Sequence, residues 1–404
     1  MSSFWLVTVA AAAVCFSAAA ARVTAYEDDG AITVDGKRTF IIGSYAAAKS
    51  DKPYAELAEA GFNLVHAGPD KLDAAHEAGL MTWVTVGTIK LDNGKAESIE
   101  KLKEKVNRVK DHPSLAFLES VDEPAWTWGK TEARIPPEPF AEAYPIIKEA
   151  DPNHLLYMNH APTNLVKTMR AYNAGTDIVA CDIYPVNPGG LQPSYALFPD
   201  GLQGDLNNEH ISQVGEYVDK MRKVTGPGRP LFMVLQAFAW ADLQDDLPLN
   251  GRREEKVLYP TYAQSRFMAF QAIIKGANGI VYWGSHTMPQ PSQPWSDVKR
   301  VVREIADLAP VLAERTAPLE IGVDYHEMGH SIDDGVQTLA KEHGGKLYLL
   351  TCNADKNTCK ATLSGLGEWT SCKMLSEDRE LPVDAGAITD TWRRFDVHLY
   401  ELSK

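Results

Sequence analysis

The sequence predicts an α/β chain whose main body is a (β/α)8 (TIM) barrel followed by a small C-terminal antiparallel β-sandwich. Three observations predict it. Eight short apolar runs recur between residues 39 and 283. Amphipathic segments of helical period separate them. Past about residue 315 the long helical periods stop, and short runs alternate with Gly, Asn and Asp. Near-continuous apolar runs of about four to eight residues are the pattern of strands covered on both faces. Eight strand–helix units fit a barrel of about 250 residues. A doubly wound sheet is the competing arrangement; the count of eight, and polar residues ending many different strands, favour the barrel.

The expected barrel strands are Thr39 to Tyr45, Phe62 to Ala67, Met81 to Val86, Leu115 to Asp122, Leu155 to Asn159, Ile178 to Tyr184, Leu231 to Phe238 and Gly279 to Trp283. Helices are expected between them. Tyr54 to Ala60 and Lys71 to Ala78 end at Gly61 and Gly79, where a left-handed cap favours glycine. Ser98 to Lys110 repeats apolar residues at Leu102, Val106 and Val109. Pro139 to Ala150 opens with a proline whose missing N–H is harmless in a first turn. Thr163 to Tyr172, Ile211 to Val224, Pro260 to Lys275 and Asp297 to Leu312 complete the set. The sandwich is expected from Lys346 to Thr351, Lys360 to Leu363, Trp369 to Met374 and Val397 to Leu402. The domains are therefore a barrel over 30–315 and a sandwich over 316–404.

The first 21 residues carry no Asp, Glu, Lys or Arg, and Trp5 to Phe16 is almost wholly apolar. With small residues following, residues 1–25 read as a signal peptide. Both Ala18-Ala19-Ala20 and Val23-Thr24-Ala25 offer cleavage patterns, so the mature chain starts near residues 21–26; an uncleaved anchor is the alternative. The expected location is secreted or periplasmic, with no membrane contact after cleavage. Cys15 leaves with that segment. Cys181 sits in an apolar run as a free thiol, and an oxidising compartment permits one disulfide among Cys352, Cys359 and Cys372.

The chain has 404 residues, 40 Lys and Arg, 54 Asp and Glu, and a net charge of −14. Such an acidic surface repels phosphate backbones, so nucleic acid is not an expected partner. Zinc-like Cys or His spacing is absent, as are a glycine-rich phosphate loop and a serine nucleophile elbow. No metal or organic cofactor is expected.

Barrel enzymes carry their chemistry at the C-terminal ends of the strands. Strand four ends Glu119-Ser120-Val121-Asp122-Glu123-Pro124-Ala125-Trp126-Thr127-Trp128. Alternation puts Glu119, Val121 and Glu123 on one side and Asp122 on the other. Glu123 then enters the mouth, where burial against indole raises its pKa and lets it donate a proton; an acidic surface turn is the plain alternative. Strand six ends with Asp182 and Tyr184 on one face, either in the same mouth or with Asp182 bonded to backbone. Gln236 near the end of strand seven suits a substrate hydrogen bond or a purely internal role. Trp126, Trp128, Trp240 and Trp283 fall at or just past strand ends, as sugar-stacking walls or core. Tyr45 contacts substrate or packs. Asn159 and His160 end strand five, and His66 ends strand two, as substrate contacts or as satisfied hydrogen-bonding groups.

With these residues the chain resembles the large superfamily of (β/α)8 glycoside hydrolases that includes β-galactosidases, cellulases and mannanases. The resemblance covers the barrel, residues 30–315, and the sandwich by architecture only. It implies that Glu123 is the general acid/base and Trp283 the aromatic at the sugar site. Two positions depart from the pattern: Asp122 stands where the family has Asn, and Gln236 where it has a nucleophilic Glu. An amide cannot be that nucleophile. Asp182 as the base of an inverting pair with Glu123 is one way round. Another is a substrate-supplied nucleophile, because Asp122-Glu123 is similar to the Asp-Glu pair of hexosaminidases, and Tyr184 with Trp283 is similar to chitinase sites. A catalytically silent carbohydrate-binding barrel is the third. The function expected is cleavage of O-glycosidic bonds in a polysaccharide or glycoconjugate.

Overall fold

The computed structural model describes residues 21–91, 94–126, 132–188, 208, 210–243 and 257–404. Most of the expected signal segment and Trp128 lie outside the described residues.

Eight parallel strands close into a barrel: Ile41–Ser44, Leu64–His66, Met81–Thr85, Leu115–Glu119, Leu155–His160, Ile178–Ile183, Leu231–Gln236 and Gly279–Trp283. Strand eight pairs with strand one, with Ile41 opposite Gly279, which completes the ring. All eight predicted strands are present, most of them shorter than the apolar run that announced them. The helices are Pro53–Ala60, Leu72–Glu77, Lys95–Val109, Glu138–Ala150, Val166–Arg170, Gln213–Thr225, Tyr262–Ile274 and Gln293–Leu312. Gly61 caps its helix at φ 105°, a conformation that explains the glycine. Thr261 and Gln264 close a reciprocal capping box on the seventh helix.

Period-two alternation divides the barrel into two layers. Ile41, Leu64, Trp83, Phe117, Tyr157, Ile178, Ala180, Phe232, Val234 and Val281 fill the interior. Val179, Cys181, Ile183, Leu231, Met233, Leu235 and Ile280 face the helices. The inward set carried one step further along each strand reaches His66, Thr85, Glu119, Asn159, Asp182, Gln236 and Trp283. The strand parity of the core therefore fixes which side chains arrive at the mouth.

The opposite end of the barrel is closed by a small antiparallel sheet, Thr24–Tyr26, Ile32–Val34 and Lys37–Arg38. Ile32 and Val34 join the interior cluster. This sheet begins within the segment expected to be removed as a signal peptide and is an element the apolar pattern did not announce.

The C-terminal region is a sandwich of two antiparallel sheets. One has three strands, Gly322–Tyr325, Cys359–Ser364 and Ile388–Trp392; the other has five, Val336–His343, Lys346–Asn353, Val397–Ser403, Ser371–Leu375 and Glu380–Pro382. Alternation works on both faces of the larger sheet. Leu347, Leu349, Tyr400 and Leu402 face the other sheet. Leu350, Cys352, Val397 and Leu399 join the core shared with the barrel helices. Arg266 ties the two together, pairing with Glu304 at 2.8 Å and donating to the Val397 carbonyl at 2.8 Å. Cys181, Cys352, Cys359 and Cys372 are all buried and none is in a disulfide. The disulfide allowed by the cysteine count does not form: Cys352 faces the barrel, away from Cys359 and Cys372, which lie between the sheets on strands of different sheets.

Candidate active site at the C-terminal mouth of the barrel

Strand four stops at Glu119, three residues before the apolar run was expected to end. Glu123 then adopts φ 44°, a left-handed conformation rare outside glycine. The turn is held on both sides. Glu123 N–H donates to the Asn159 carbonyl at 3.0 Å, Trp126 N–H to the Glu123 carbonyl at 3.1 Å, and Ile135 N–H to the Pro124 carbonyl at 2.9 Å. Strand alternation therefore does not extend to this segment. The expectation that Asp122 points away from Glu123 is corrected: both carboxyls face Asp182.

Three carboxyls converge there. Asn159 Nδ2 donates to Asp122 Oδ1 at 3.0 Å and to Asp182 Oδ1 at 3.2 Å. Glu123 and Asp182 share a side-chain hydrogen bond. Two carboxyls can do so only by holding a proton between them. Burial, and then the charge of Asp122, push Glu123 up to about 7. Burial, and then Glu123 and Asp122, hold Asp182 well above the usual carboxylate range. Asp122 is also raised by burial, opposed by the Asn159 bond and by Arg134; it is open to the water of the cup while protein surrounds it on most sides. Arg134 donates to the Asp122 carbonyl. The separation of about 6.5–9.5 Å expected of an inverting pair is not found between Glu123 and Asp182, because their carboxyls touch.

Gln236 is fully buried. Its Nε2 donates to the carbonyls of Val186 at 2.9 Å and Phe238 at 3.1 Å, and its Oε1 accepts from Val186 N–H at 2.9 Å. The amide is consumed by backbone, so the expected substrate hydrogen bond is corrected: Gln236 fastens the chain after strand six to the chain after strand seven. Asn159 Nδ2 is likewise engaged, with the carboxyls of Asp122 and Asp182, while its Oδ1 is buried without a partner. His160 turns to the helix layer, edge-on to Tyr172, and burial lowers it to about 4; Asn159 and His160 do not act as a pair.

The aromatic wall is continuous. Tyr184 stacks on Trp283 with centroids 5.5 Å apart and 26° between planes. Phe238 meets both edge-on, at 4.9 and 5.0 Å. Trp240 packs edge-on to Phe238 at 5.2 Å and donates from Nε1 to the Tyr184 carbonyl at 3.2 Å. Trp126 is half-buried just past the Glu123 turn. Across the mouth, Tyr45 packs edge-on to Trp83 and its hydroxyl meets that of Tyr157 at 2.8 Å.

One acid was not singled out from the sequence. Glu119 is 3% exposed, and burial pushes it up to about 7. Its signal was present: it is the lone charge ending the apolar run Leu115 to Leu118.

No family model matches the chain, and no curated protein matches it in sequence. Solved structures share its fold. An α-amylase from Geobacillus thermoleovorans in complex with acarbose aligns with a TM-score of 0.57 at 10% identity, over 91% of this chain and 100% of the amylase. A maltogenic α-amylase from Thermotoga neapolitana gives 0.54 at 10%, over 90% and 99%. A family 30 subfamily 8 xylanase from Clostridium acetobutylicum gives 0.50 at 10%, over 96% and 98%. At this identity the likeness is one of fold. The chain is a (β/α)8 barrel with a C-terminal β-sandwich, an architecture it shares with glycoside hydrolases.

Proposed function

We propose that the chain is a secreted glycoside hydrolase acting on O-glycosidic bonds of a polysaccharide or glycoconjugate. The observation that carries this reading is the proton-sharing pair of Glu123 and Asp182 beside the stacked rings of Tyr184 and Trp283. Glycoside cleavage needs an acid that keeps its proton at neutral pH and a second group beside it. Glu123 is that acid. It protonates the glycosidic oxygen as the C1–O bond breaks. Burial and the charge of Asp122 keep the proton on Glu123 before the step, and the hydrogen bond from Asp182 stabilises the carboxylate after it. Asp122, open to water, is the carboxylate placed to take the proton of the attacking water. Asn159 holds Asp122 and Asp182 at fixed separation. Trp283, Tyr184 and Trp126 offer apolar faces to a sugar ring.

A second reading is a catalytically silent carbohydrate-binding barrel. Gln236 favours it, since strand seven ends in a buried amide. One experiment separates the two. Wild type and E123Q are assayed on a broad glycan panel, with anomers followed by NMR. Turnover lost in E123Q supports the hydrolase; binding without turnover in wild type supports the binder; turnover intact in E123Q removes Glu123 as the acid.

A further inference from the structure

A second hydrogen-bonded chain lines the same mouth and takes no part in the mechanism above. Thr85 Oγ1 donates to Glu119 Oε2. His66 Nε2 lies 3.0 Å from Thr85 Oγ1 and 3.6 Å from Glu119 Oε2. A hydroxyl has one proton. With Glu119 ionised, above about pH 7, that proton is committed to the carboxylate and Thr85 accepts from the imidazole. His66 therefore carries its proton on Nε2, and Nδ1 is left with a lone pair. Among the described residues no protein group bonds Nδ1. The His66 side chain is 34% exposed, and Thr85 is exposed as well, so both open into the cup. Trp83 and Tyr45 flank the ring at centroid distances of 5.3 and 6.3 Å. Glu119 Oε1 is buried and faces Trp83 Nε1 without closing a well-formed hydrogen bond.

We propose that His66, oriented by Thr85 and Glu119, is a specificity-determining contact that accepts a hydrogen bond from a hydroxyl of an uncharged glycone. This rests on the hydrolase reading of the same cup and adds its substrate class. An acceptor-only atom selects a donor, and a buried acceptor left unpaired penalises a ligand that lacks one. The charge of the cup supplies the second half of the argument. Asp122, open to the cup, and the ionised fractions of Glu119 and Glu123 make the cup acidic, with Arg134 the cation set against Asp122 and Glu123 among the described residues. A uronate or sulfated glycone meets repulsion from these groups in a low-dielectric site. A neutral hexose, rich in hydroxyl donors, does not. Here Glu119 and Thr85 are positioning residues and His66 is the contact.

The test uses the full chain and p-nitrophenyl α- and β-hexopyranosides of gluco, galacto and manno configuration. The corresponding uronides and a monodeoxy series of the preferred hexoside complete the set. H66F keeps an aromatic ring and removes the acceptor; T85V removes the hydroxyl relay; H66N returns an acceptor near Nδ1. H66F and T85V are expected to raise KM roughly 5- to 10-fold with kcat changed less, and H66N to recover part of it. At one deoxy position wild type is expected to lose that same factor and H66F to lose nothing further. Uronides are expected to be poorer than their neutral partners. If hydrolysis depends on Glu123 but H66F shifts every deoxy analogue equally, or uronides are preferred, this contact is overturned and the hydrolase reading stands. If none of the neutral hexosides is cleaved by wild type or bound by E123Q, both fall together.

Discussion

Glu123, in the turn after barrel strand four, and Asp182, near the end of strand six, share one hydrogen bond at the mouth of the barrel. Glu123 reaches it only because its backbone is left-handed at φ 44°. A residue in that region is held there by its surroundings at a cost of order 1–3 kcal/mol, and here the Asn159 carbonyl and the Trp126 amide do the holding. The proton pair is a product of the turn as much as of the side chains.

Because burial lifts Glu123 to about 7, hydrolysis is expected to fall as pH rises through about 7. The acid form is lost there. In D122N the repulsive charge beside Glu123 is gone, and the titration of Glu123 is expected to move to lower pH. Because D122N also removes the proposed base, the Glu123 carboxyl is titrated directly by 13C NMR in the two proteins, with the kcat/KM profile read on wild type; an unchanged midpoint in D122N means that Asp122 does not act on the titrating group.

Glu119 makes a separate statement about stability. Its folded pKa, about 7, lies above its ordinary value of 4.5. The folded state therefore binds more protons than the unfolded state between those two values. Stability tied to this group is fully present below 4.5 and is lost as pH rises to about 7. E119Q keeps the shape and removes the ionisation. Its stability relative to wild type is expected to be higher at pH 8 than at pH 5, by up to about 3 kcal/mol at one pKa unit per 1.4 kcal/mol. Denaturant melts at the two pH values measure the difference, and equal wild-type-minus-variant differences at both would remove the buried charge from the account.

The Gln236 geometry predicts the outcome of an obvious engineering step. Q236E places a carboxylate where the amide now donates to the Val186 and Phe238 carbonyls. Both donors vanish and a charge faces two carbonyl oxygens in a fully buried site. The variant is expected to lose roughly 3 kcal/mol or more of stability and to gain no hydrolytic rate. Expression with wild-type melting behaviour and raised turnover would show strand seven to be a dormant nucleophile position.

Much of this was legible in the residues, for a physical reason. Period-two alternation from Tyr157, Ala180 and Val281 carries inward parity to the strand ends, and it names Asn159, Asp182 and Trp283. Local pattern could not supply the turn at Glu123, which leaves the strand three residues early and so turns Asp122 toward Asp182. Nor could it foresee Gln236, whose partners Val186 and Phe238 are distant or irregular backbone. His66, Thr85 and Glu119 belong to three different strands, and each alone reads as a polar residue at a strand end. The chain they form exists only once the barrel closes.

The N-terminal sheet makes the last prediction. Two cleavage patterns were open, one after Ala20 and one after Ala25, and the structure bears on them unequally. Thr24 is 4% exposed. Its hydroxyl donates to the Ala116 carbonyl at 2.9 Å and accepts from Leu155 N–H at 2.9 Å, while its own N–H donates to the Asn153 carbonyl at 2.8 Å. These bonds tie the N-terminal sheet to the starts of strands four and five. Arg22 adds a salt bridge to Asp35 at 3.1 Å. Cutting after Ala25 would strip Leu155 of a buried partner and remove the first strand of the plug. A leader that is cleaved is therefore expected to leave Arg22 and Thr24 on the mature chain, as mass spectrometry of the exported protein would show. A chain starting at Tyr26 is expected to lose more stability than T24V, which itself loses roughly 1–3 kcal/mol by leaving the Leu155 N–H unpaired. A mature protein that begins at Tyr26 and melts with the longer form would mean that these contacts do not hold the barrel floor.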